Sequence, residues 1–393
     1  MEIRRLNQQD FDAYIALDEY AFLYKVSEKD KEEDRRNFDK EKVIGAFENE
    51  ELSAKLVLLP FEVYIHGQVM QMGGIGGVAT WPEKRRQGMV SQLLRQGLEE
   101  MKGQGQLISY LYPFSVGFYR KYGWELFTDN KKYQIPVEKL PPLKNVPGRV
   151  VREVRDIEVL KSIYDRAIVR FNGAVVRSEE WWTKRVLKRA TYTAVYYNEA
   201  KEPEAYVMYK IENEKWMTKE MFWINETARQ GIWDFIVNHD SRITEVQMNT
   251  PVDDPFYLLL PDPIVKQEIQ PNCMARVVDV VPFVEQYPFV QTGTEHAFTV
   301  HIQDPHAPWN DGLWNWQISR EGIGRLEKLE SGEHGLSEAT DVTLSIGTLT
   351  AILLGYRRPA ELQQIGLLET SEDTAQLLNQ VIPVRTPFIV DFF

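Results

Sequence analysis

Two arginines and a glycine stand directly before an amphipathic stretch of this chain, in the segment GGIGGVATWPEKRRQGMVSQLL (residues 73–94). Arg85, Arg86 and Gly88 are residue types suited to a phosphate at the start of a helix. Guanidinium groups contact phosphate oxygens in pairs, and glycine lets the backbone approach closely. Backbone N–H groups over residues 85–90 would point at the same anion, aided by the helix dipole. The segment predicts a diphosphate site, with the strand at residues 76–80 placed to pair with an extended arm of the ligand.

Two other interpretations of this segment stay open. The basic residues could simply be solvated at a strand-to-helix junction. Residues 74–79 also satisfy the dinucleotide pattern G-x-G-x-x-A, which requires the glycine turn to lead straight into a helix. Residues 78–84 look extended instead, and the acidic residue required about 20 positions on is at best Glu99. The context therefore disfavours a dinucleotide site.

A tyrosine and the last residues of the chain are further candidates for chemistry. Tyr119 lies in GFYRKYG (residues 117–123). A phenol with a pKa of about 10 stays protonated at neutral pH and can donate to a thiolate whose conjugate acid has a pKa of about 8.5. Its alternative role is packing, as expected for Phe118 and Tyr122. The segment TPFIVDFF ends in two phenylalanines, and because a free terminus is usually frayed, we expect this one to be docked in a core.

Composition sets limits on the kind of protein. The 393 residues are 43% hydrophobic and 26% charged, which is typical of a soluble protein with two or three domains. No apolar run reaches the ~20 residues of a membrane span, and the N-terminus lacks a signal-peptide core, so we expect a cytoplasmic protein with no membrane partner.

The net charge and the few residues that could bind a metal limit the possible partners and cofactors. Cys273 is the single cysteine, which excludes an internal disulfide, and the six histidines show no metal-site spacing, so no metal is predicted. The 46 basic against 58 acidic residues give a net charge of −12, which disfavours nucleic acid and favours a cationic partner.

The pattern of apolar residues predicts the elements around these candidates. Residues 53–80 read as three successive strands, with turns at Leu59-Pro60 and His66-Gly67. Residues 106–112 read as a buried strand, and residues 114–123 as a short helix stopped by Gly123. A helix before that strand has apolar residues at i, i+4, i+8 and i+11: Val90, Leu94, Leu98 and Met101.

The chain divides into three predicted units. Prolines and a glycine, which interrupt helices and strands, cluster at 137–149. The residue pattern changes again near residue 284. The order helix, strands, helix, strand occurs in both of the first two units. We therefore expect units at residues 1–148, 149–283 and 284–393, all of mixed α/β or α+β character.

The order strand, Arg-Arg-x-Gly turn, amphipathic helix, strand and FYRKYGWE (residues 118–125) resembles the GNAT acetyltransferase superfamily, and more narrowly the Eis-type acetyltransferases. The GNAT motif R/Q-x-x-G-x-G/A is matched at Arg85 and Gly88, with Val90 at its last position. The resemblance covers the whole chain. It implies two GNAT domains, each a mixed sheet with flanking helices. A sterol-carrier-protein-like α+β domain would follow and deliver the C-terminus. The resemblance also implies a hexamer.

The same resemblance implies an acetyl-CoA-dependent N-acetyltransferase that acts on an aminoglycoside, a polyamine or a lysine side chain through a tetrahedral intermediate. Tyr119 would be the general acid and the α-carboxylate of Phe393 the general base. A backbone N–H in residues 78–80 would stabilise the oxyanion. The residues expected to bind acetyl-CoA are Val78, Ala79, Thr80, Arg85, Arg86, Gln87, Gly88, Met89, Val90 and Ser91.

Two questions stay open from the residues alone. The scaffold could be non-catalytic, sensing acyl-CoA or carrying a lipid. Glu179, Glu180, Trp181 and Trp182 could line an acidic aromatic acceptor pocket, or form a helix that is half core and half solvated. A carboxylate with a reference pKa of about 3.5 is also a poor base for an amine, so desolvation or a water relay would have to help it.

Overall fold

The computed structural model describes residues 1–38, 42–189, 191–329 and 340–393. In this part of the chain the strands form three sheets, with helices packed on them. In chain order the strands are β1 (Glu2–Arg5), β2 (Lys42–Glu48), β3 (Glu51–Ile65), β4 (Gln68–Thr80), β5 (Ile108–Leu111), β6 (Glu125–Leu126), β7 (Asp129–Pro136), β8 (Arg149–Arg152), β9 (Val175–Val176), β10 (Tyr192–Tyr197), β11 (Pro203–Glu212), β12 (Lys215–Trp223), β13 (Glu245–Pro251), β14 (Lys266–Pro271), β15 (Met274–Val277), β16 (His296–Gln303), β17 (Gly312–Ile318), β18 (Gly324–Lys328), β19 (Val342–Ser345) and β20 (Glu369–Thr370).

The helices lie between these strands and close the chain. They are α1 (Phe11–Phe22), α2 (Glu28–Asn37), α3 (Met89–Gly103), α4 (Val116–Arg120), α5 (Ile157–Ile168), α6 (Glu179–Trp181), α7 (Leu187–Arg189), α8 (Glu226–Val237), α9 (Val280–Gln286), α10 (Ile346–Leu353), α11 (Pro359–Gln364) and α12 (Glu372–Val381). A π-helical turn, Trp182–Val186, joins α6 to α7. None of the helices in the described part of the chain combines the length and the apolar character needed to span a bilayer.

The first two sheets exchange strands relative to the order of the chain. The first runs β1-β2-β3-β4-β5-β15-β6, with β9 paired to β3. The second runs β14-β7-β13-β12-β11-β10-β8, and the third β18-β17-β16-β19-β20. Strand β7 precedes the predicted boundary at residue 148 but pairs in the second sheet, while β15 returns to the first. The division at residues 148 and 283 therefore does not coincide with the division into sheets, and it stays a prediction about folding units.

Strands β3 and β4 form one long antiparallel hairpin, not three successive strands. The His66-Gly67 turn is confirmed, since both residues have positive φ (47° and 93°). The predicted turn at Leu59-Pro60 is wrong, because Pro60 pairs with Gly73 inside the hairpin. On the other side of β3, pairing with β2 ends at Leu58 and pairing with β9 starts at Glu62. A proline without an N–H is tolerated where the ladder is interrupted.

Helix α3 packs against the first sheet with the predicted apolar face. Leu94, Leu98 and Met101 are buried, and they share a core cluster with Ile75 of β4 and Tyr119 of α4. Burial of each such aliphatic side chain contributes roughly 1.5–3 kcal/mol to folding. The predicted short helix is also confirmed: α4 is capped by Ser115 and followed by Gly123 at φ 87°. These contacts hold the starts of α3 and α4 against one face of β4.

Acidification is expected to destabilise the fold through His66, which is buried at the β3–β4 turn with Nε2 3.0 Å from the Leu353 oxygen. Burial lowers the pKa of His66 to about 4. The unfolded chain takes up a proton near pH 6.5 and the folded chain does not until about pH 4. The free energy of unfolding therefore has the full contribution of neutral His66 above pH 6.5. It falls by about 2 kcal/mol between pH 7 and pH 5.

Urea unfolding at pH 7 and pH 5 measures this difference against His66→Asn. Asparagine tolerates the left-handed backbone and has no titrating group. The variant should lose about 2 kcal/mol less than the parent protein on acidification. An equal loss in both proteins would contradict the assignment.

Candidate functional site

A cavity of about 720 Å³ opens at the end of β4, beside the start of α3 and next to α4. Phe114, Phe118 and Tyr122 form its aromatic side, and Ala21 and Phe22 of α1 also contribute. Every residue predicted to bind the cofactor lines this cavity: Val78, Ala79, Thr80, Arg85, Arg86, Gln87, Gly88, Met89, Val90 and Ser91. The fold brings together two short segments that the sequence separates by a turn.

The start of α3 is open to a ligand. Gly88 is the N-cap, with φ 80°, and no side chain caps the first turn. The first turn contains no acidic residue, and among the described residues no atom lies within 4 Å of where a Gly88 Cβ would be. Because the first N–H groups of a helix have no partner inside it, this end presents donors and a positive dipole to the cavity. That environment fits a diphosphate.

The basic residues before α3 differ in their pairing. Lys84 Nζ lies 2.6 Å from Glu48 Oε2, and this hydrogen bond raises the pKa of Lys84. Arg85 and Arg86 are exposed, and within the described ranges neither guanidinium makes a hydrogen bond or an ion pair. Two unpaired cations therefore remain at the mouth of the cavity.

Strands β4 and β5 separate where the cavity begins. They pair in parallel from Met72↔Ile108 to Ile75↔Leu111, and β4 then continues to Thr80 with no β5 partner among the described residues. On the β3 side the register shifts between Lys55 and Val57, opposite Gly77 at φ 54°. Because the pairing with β5 ends at Ile75, the β5-facing backbone of residues 76–80 is available to an extended ligand. The dinucleotide interpretation is wrong, because β4 runs on to Thr80 and α3 begins only at Met89.

Tyr119 lies on the α3 side of the sheet, near the point where β4 and β5 separate. The residue is 2% exposed and belongs to the same core cluster as Ile75 and Leu111, with its ring 5.3 Å from that of Phe114 and 5.1 Å from that of Phe118. No hydrogen-bond partner of its hydroxyl is found in the described part of the chain. Burial raises the pKa of Tyr119 above that of an ordinary phenol. The group therefore keeps its proton and has it free to donate.

Phe393 docks on the opposite face of β4. Its ring centroid lies 4.9 Å from that of Phe61 and 5.5 Å from that of Tyr112. A Cβ at Gly74 would lie 2.7 Å from the Phe393 ring, and a Cβ at Gly76 would lie 3.9 Å from its carboxyl carbon and oxygen. Since side chains alternate along a strand, Phe393 faces the side of Gly74 and Gly76, while Ile75 and Tyr119 share the other side.

The residues that hold the last segment were missed in the sequence. Asp391 is buried and accepts hydrogen bonds from Arg177 Nε (2.9 Å) and Trp181 Nε1 (2.7 Å). Arg177 also donates two bonds, of 3.0 and 2.7 Å, to Glu220. Asp391 is the single charged residue in TPFIVDFF, which was a usable signal. Arg177 and Glu220 carried none, because only the fold brings them to the terminus.

The acidic and aromatic group at residues 179–182 divides between core and solvent. Trp182 is fully buried and packs among other aromatic rings, while Glu179 and Glu180 are exposed. Trp181 is half-buried, and its ring lies 5.0 Å from that of Phe61 at 88°. One residue of the four, Trp181, therefore reaches the terminal segment, through Phe61, which packs on Phe393, and through its hydrogen bond to Asp391.

The second sheet has a related parallel pair without an anion site. Strands β12 and β13 pair only over Lys215↔Glu245 to Met217↔Gln247 before they separate. Only two residues join β12 to α8, and Asn225 caps that helix through the Ala228 N–H. Glu226 in the first turn adds a negative charge. This helix start is closed by its own residues and repels an anion.

Comparison with known families supports the resemblance seen in the sequence. Two models of the acetyltransferase (GNAT) domain match residues 2–127 and 173–277. A model of the sterol carrier protein domain matches residues 280–390. Two GNAT domains followed by a sterol-carrier-like domain, with mixed sheets and helices, is the predicted fold class, which is confirmed.

Relatives match along almost the whole chain. A solved structure from Enterococcus faecalis, described as a probable N-acyltransferase, superposes with a TM-score of 0.92 at 28% identity over 100% of this chain and 99% of that one. An uncharacterised N-acetyltransferase of Streptomyces avermitilis is 24% identical over 90% of this chain and 88% of its own. The N-acetyltransferase Eis of Mycobacterium tuberculosis is 20% identical over 88% and 87% of the two chains.

Proposed function

We propose that this chain, a GNAT acetyltransferase of the Eis type, transfers the acetyl group of acetyl-CoA to an amine of a cationic acceptor. The observation that carries the proposal is the open start of α3, where two unpaired arginines meet an uncapped helix in a cavity of about 720 Å³. Acetyl-CoA supplies a thioester-activated acetyl group and is a substrate of the reaction. The residues of this chain bind it, orient it and move two protons.

The acyl donor is proposed to lie along β4. Arg85, Arg86 and the N–H groups of residues 88–91 hold its diphosphate by charge and by hydrogen bonds. Its extended arm follows residues 76–80, where β4 has lost its β5 partner. A backbone N–H among residues 78–80 stabilises negative charge on the acyl oxygen. The bulge at Gly77 supports this role, since it redirects the N–H groups that follow it.

The proton donor and acceptor are proposed to act from opposite faces of β4. Tyr119 gives a proton to the departing thiolate from the α3 side, and its raised pKa keeps the phenol protonated until it is needed. The Phe393 carboxylate removes a proton from the attacking amine on the Gly74–Gly76 side. The rings of Phe61 and Tyr112 pack against the Phe393 ring and hold the residue on this side of the strand.

The acceptor is proposed to be an aminoglycoside, a polyamine or a lysine side chain. A net charge of −12 attracts such cations. Phe61 packs on Phe393 and Trp181 packs on Phe61, and both offer partly buried aromatic rings where an ammonium group gains cation–π stabilisation. The hexamer and the cytoplasmic location rest on the resemblance and on composition, and they are proposals of the same standing.

The test is acetyl-CoA-dependent thiol release with a panel of aminoglycosides, polyamines and lysine peptides. Turnover with one of these classes supports the proposal and identifies the acceptor. Stoichiometric acetyl-CoA binding, measured by calorimetry, serves as the control for folded protein. Binding without turnover of any amine in the panel would contradict the proposed acceptor class.

A further inference from the structure

One buried arginine joins the last segment of the chain to the first and the second sheet. Arg177 follows β9, which pairs with β3 of the first sheet. Its guanidinium binds Glu220 on β12 of the second sheet and Asp391 near the terminus. All three side chains are 8% exposed or less. Tyr206 adds a hydrogen bond of 2.7 Å to Glu220.

The main chain of the same segment is held at two more points. The Tyr112 hydroxyl, just after β5, donates to the carbonyl of Asp391, and Arg189 at the end of α7 donates to the carbonyl of Phe392. The side chain of Asp391 and the carbonyls of Asp391 and Phe392 are thus held by residues from separate parts of the chain. Because consecutive Cα atoms are about 3.8 Å apart, these contacts leave the Phe393 carboxylate little room to move.

The composition of this cluster is unusual for a purely stabilising contact. An arginine between two buried carboxylates costs considerable desolvation, and apolar residues of similar volume often stabilise a fold as well or better. A docked apolar tail would need only Phe388, Ile389 and their neighbours, which are buried in the core. The ion pairs add a defined position for Asp391 and for the residues that follow it.

We propose that Arg177 and Asp391 are positioning residues for the acetyl transfer, and that they set the Phe393 carboxylate against the acceptor amine. This inference rests on the proposed function of that carboxylate. Trp181 belongs to the same hydrogen-bond network, because its indole N–H donates to Asp391. Its ring packs edge-on against Phe61. The network therefore fixes both the base and the aromatic wall next to it.

Asp391→Asn tests the proposal with little change of shape. We expect kcat at pH 7 to fall by about tenfold or more, while the KM for acetyl-CoA changes less than about twofold, since a displacement of 1 Å is enough for such a loss. The deficit should shrink toward pH 9.5, where more of the amine is already unprotonated and needs no base. A simple loss of folded protein would lower kcat by the same factor at every pH.

Controls separate this proposal from folding and from the role of the carboxylate itself. Thr386→Val removes another polar contact of the last segment, to Asp253, and should leave kcat unchanged. If Asp391→Asn fails to fold, Tyr112→Phe removes only the hydroxyl that holds the Asp391 carbonyl and should give a smaller, equally pH-dependent loss. The positioning role is overturned if both folded variants keep full kcat while an extension after Phe393 abolishes turnover. If the extension has no effect, the base assignment fails instead.

Discussion

Extension of the chain by a few residues after Phe393 is expected to lower kcat by about 10²–10⁴-fold and to leave the KM for acetyl-CoA within about twofold. The extension converts the Phe393 carboxylate into a neutral amide, which cannot accept a proton. The Phe393 carboxyl group lies beside Gly76, at the point where β4 loses its β5 partner. The proposed diphosphate site at Arg85, Arg86 and Gly88 belongs to a different segment and is untouched.

Steady-state kinetics on chains with the same tag at either end measure this effect. The N-terminal tag controls for added mass, and it should leave kcat unchanged. Arg86→Ala gives the opposite signature, a raised KM for acetyl-CoA with nearly unchanged kcat, because it removes ground-state and transition-state binding equally. Equal kcat for the two tagged proteins would remove the carboxylate from the mechanism.

A glycine variant disturbs the same position without changing the chain end. A Cβ at Gly74 would lie 2.7 Å from the Phe393 ring, so Gly74→Ala must displace that ring, and we expect kcat to fall. Gly97 in α3 provides the matched control, since its Cβ would lie 3.5 Å from the nearest atom, Leu58 Cδ2. Gly97→Ala should keep full kcat and gain about 0.5–1 kcal/mol of stability, because alanine favours the helix.

Local patterns of the sequence were sufficient to predict the helices and the helix start that form the cavity. The spacing of Leu94, Leu98 and Met101 predicted the buried face of α3, and Gly123 predicted the end of α4. The Arg85-Arg86-x-Gly88 segment predicted an open helix start. Each of these signals depends on residues a few positions apart, and backbone geometry ties such residues together.

Contacts between distant segments could not be predicted from such patterns. Arg177 and Asp391 are 214 positions apart, and neither has a local signature of its partner. The exchange of β7 and β15 between the first two sheets likewise depends on packing across the whole chain. Pro60 misled the prediction of a turn, because its position between the β2 and β9 pairings appears only once the strands are assembled.

Tyr119→Phe is expected to lower kcat by about 10²-fold or more, with stability within about 0.5 kcal/mol of the parent protein. The ring packs against Phe114, Phe118 and Trp124, and phenylalanine keeps those contacts. The hydroxyl has no hydrogen-bond partner in the described part of the chain, so its removal leaves no buried group unpaired. The loss therefore isolates the proton that Tyr119 is proposed to donate.

Tyr110→Phe is the matched control for this prediction. Tyr110 lies on β5 and is fully buried, and within the described ranges its hydroxyl also has no hydrogen-bond partner, but it belongs to a different core cluster. Its variant should keep full kcat. Because burial raises the pKa of Tyr119, the parent enzyme should show no loss of kcat from this group as the pH rises to about 10. Equal kcat for Tyr119→Phe and Tyr110→Phe would show that Tyr119 only packs, and the thiolate would then take its proton from solvent.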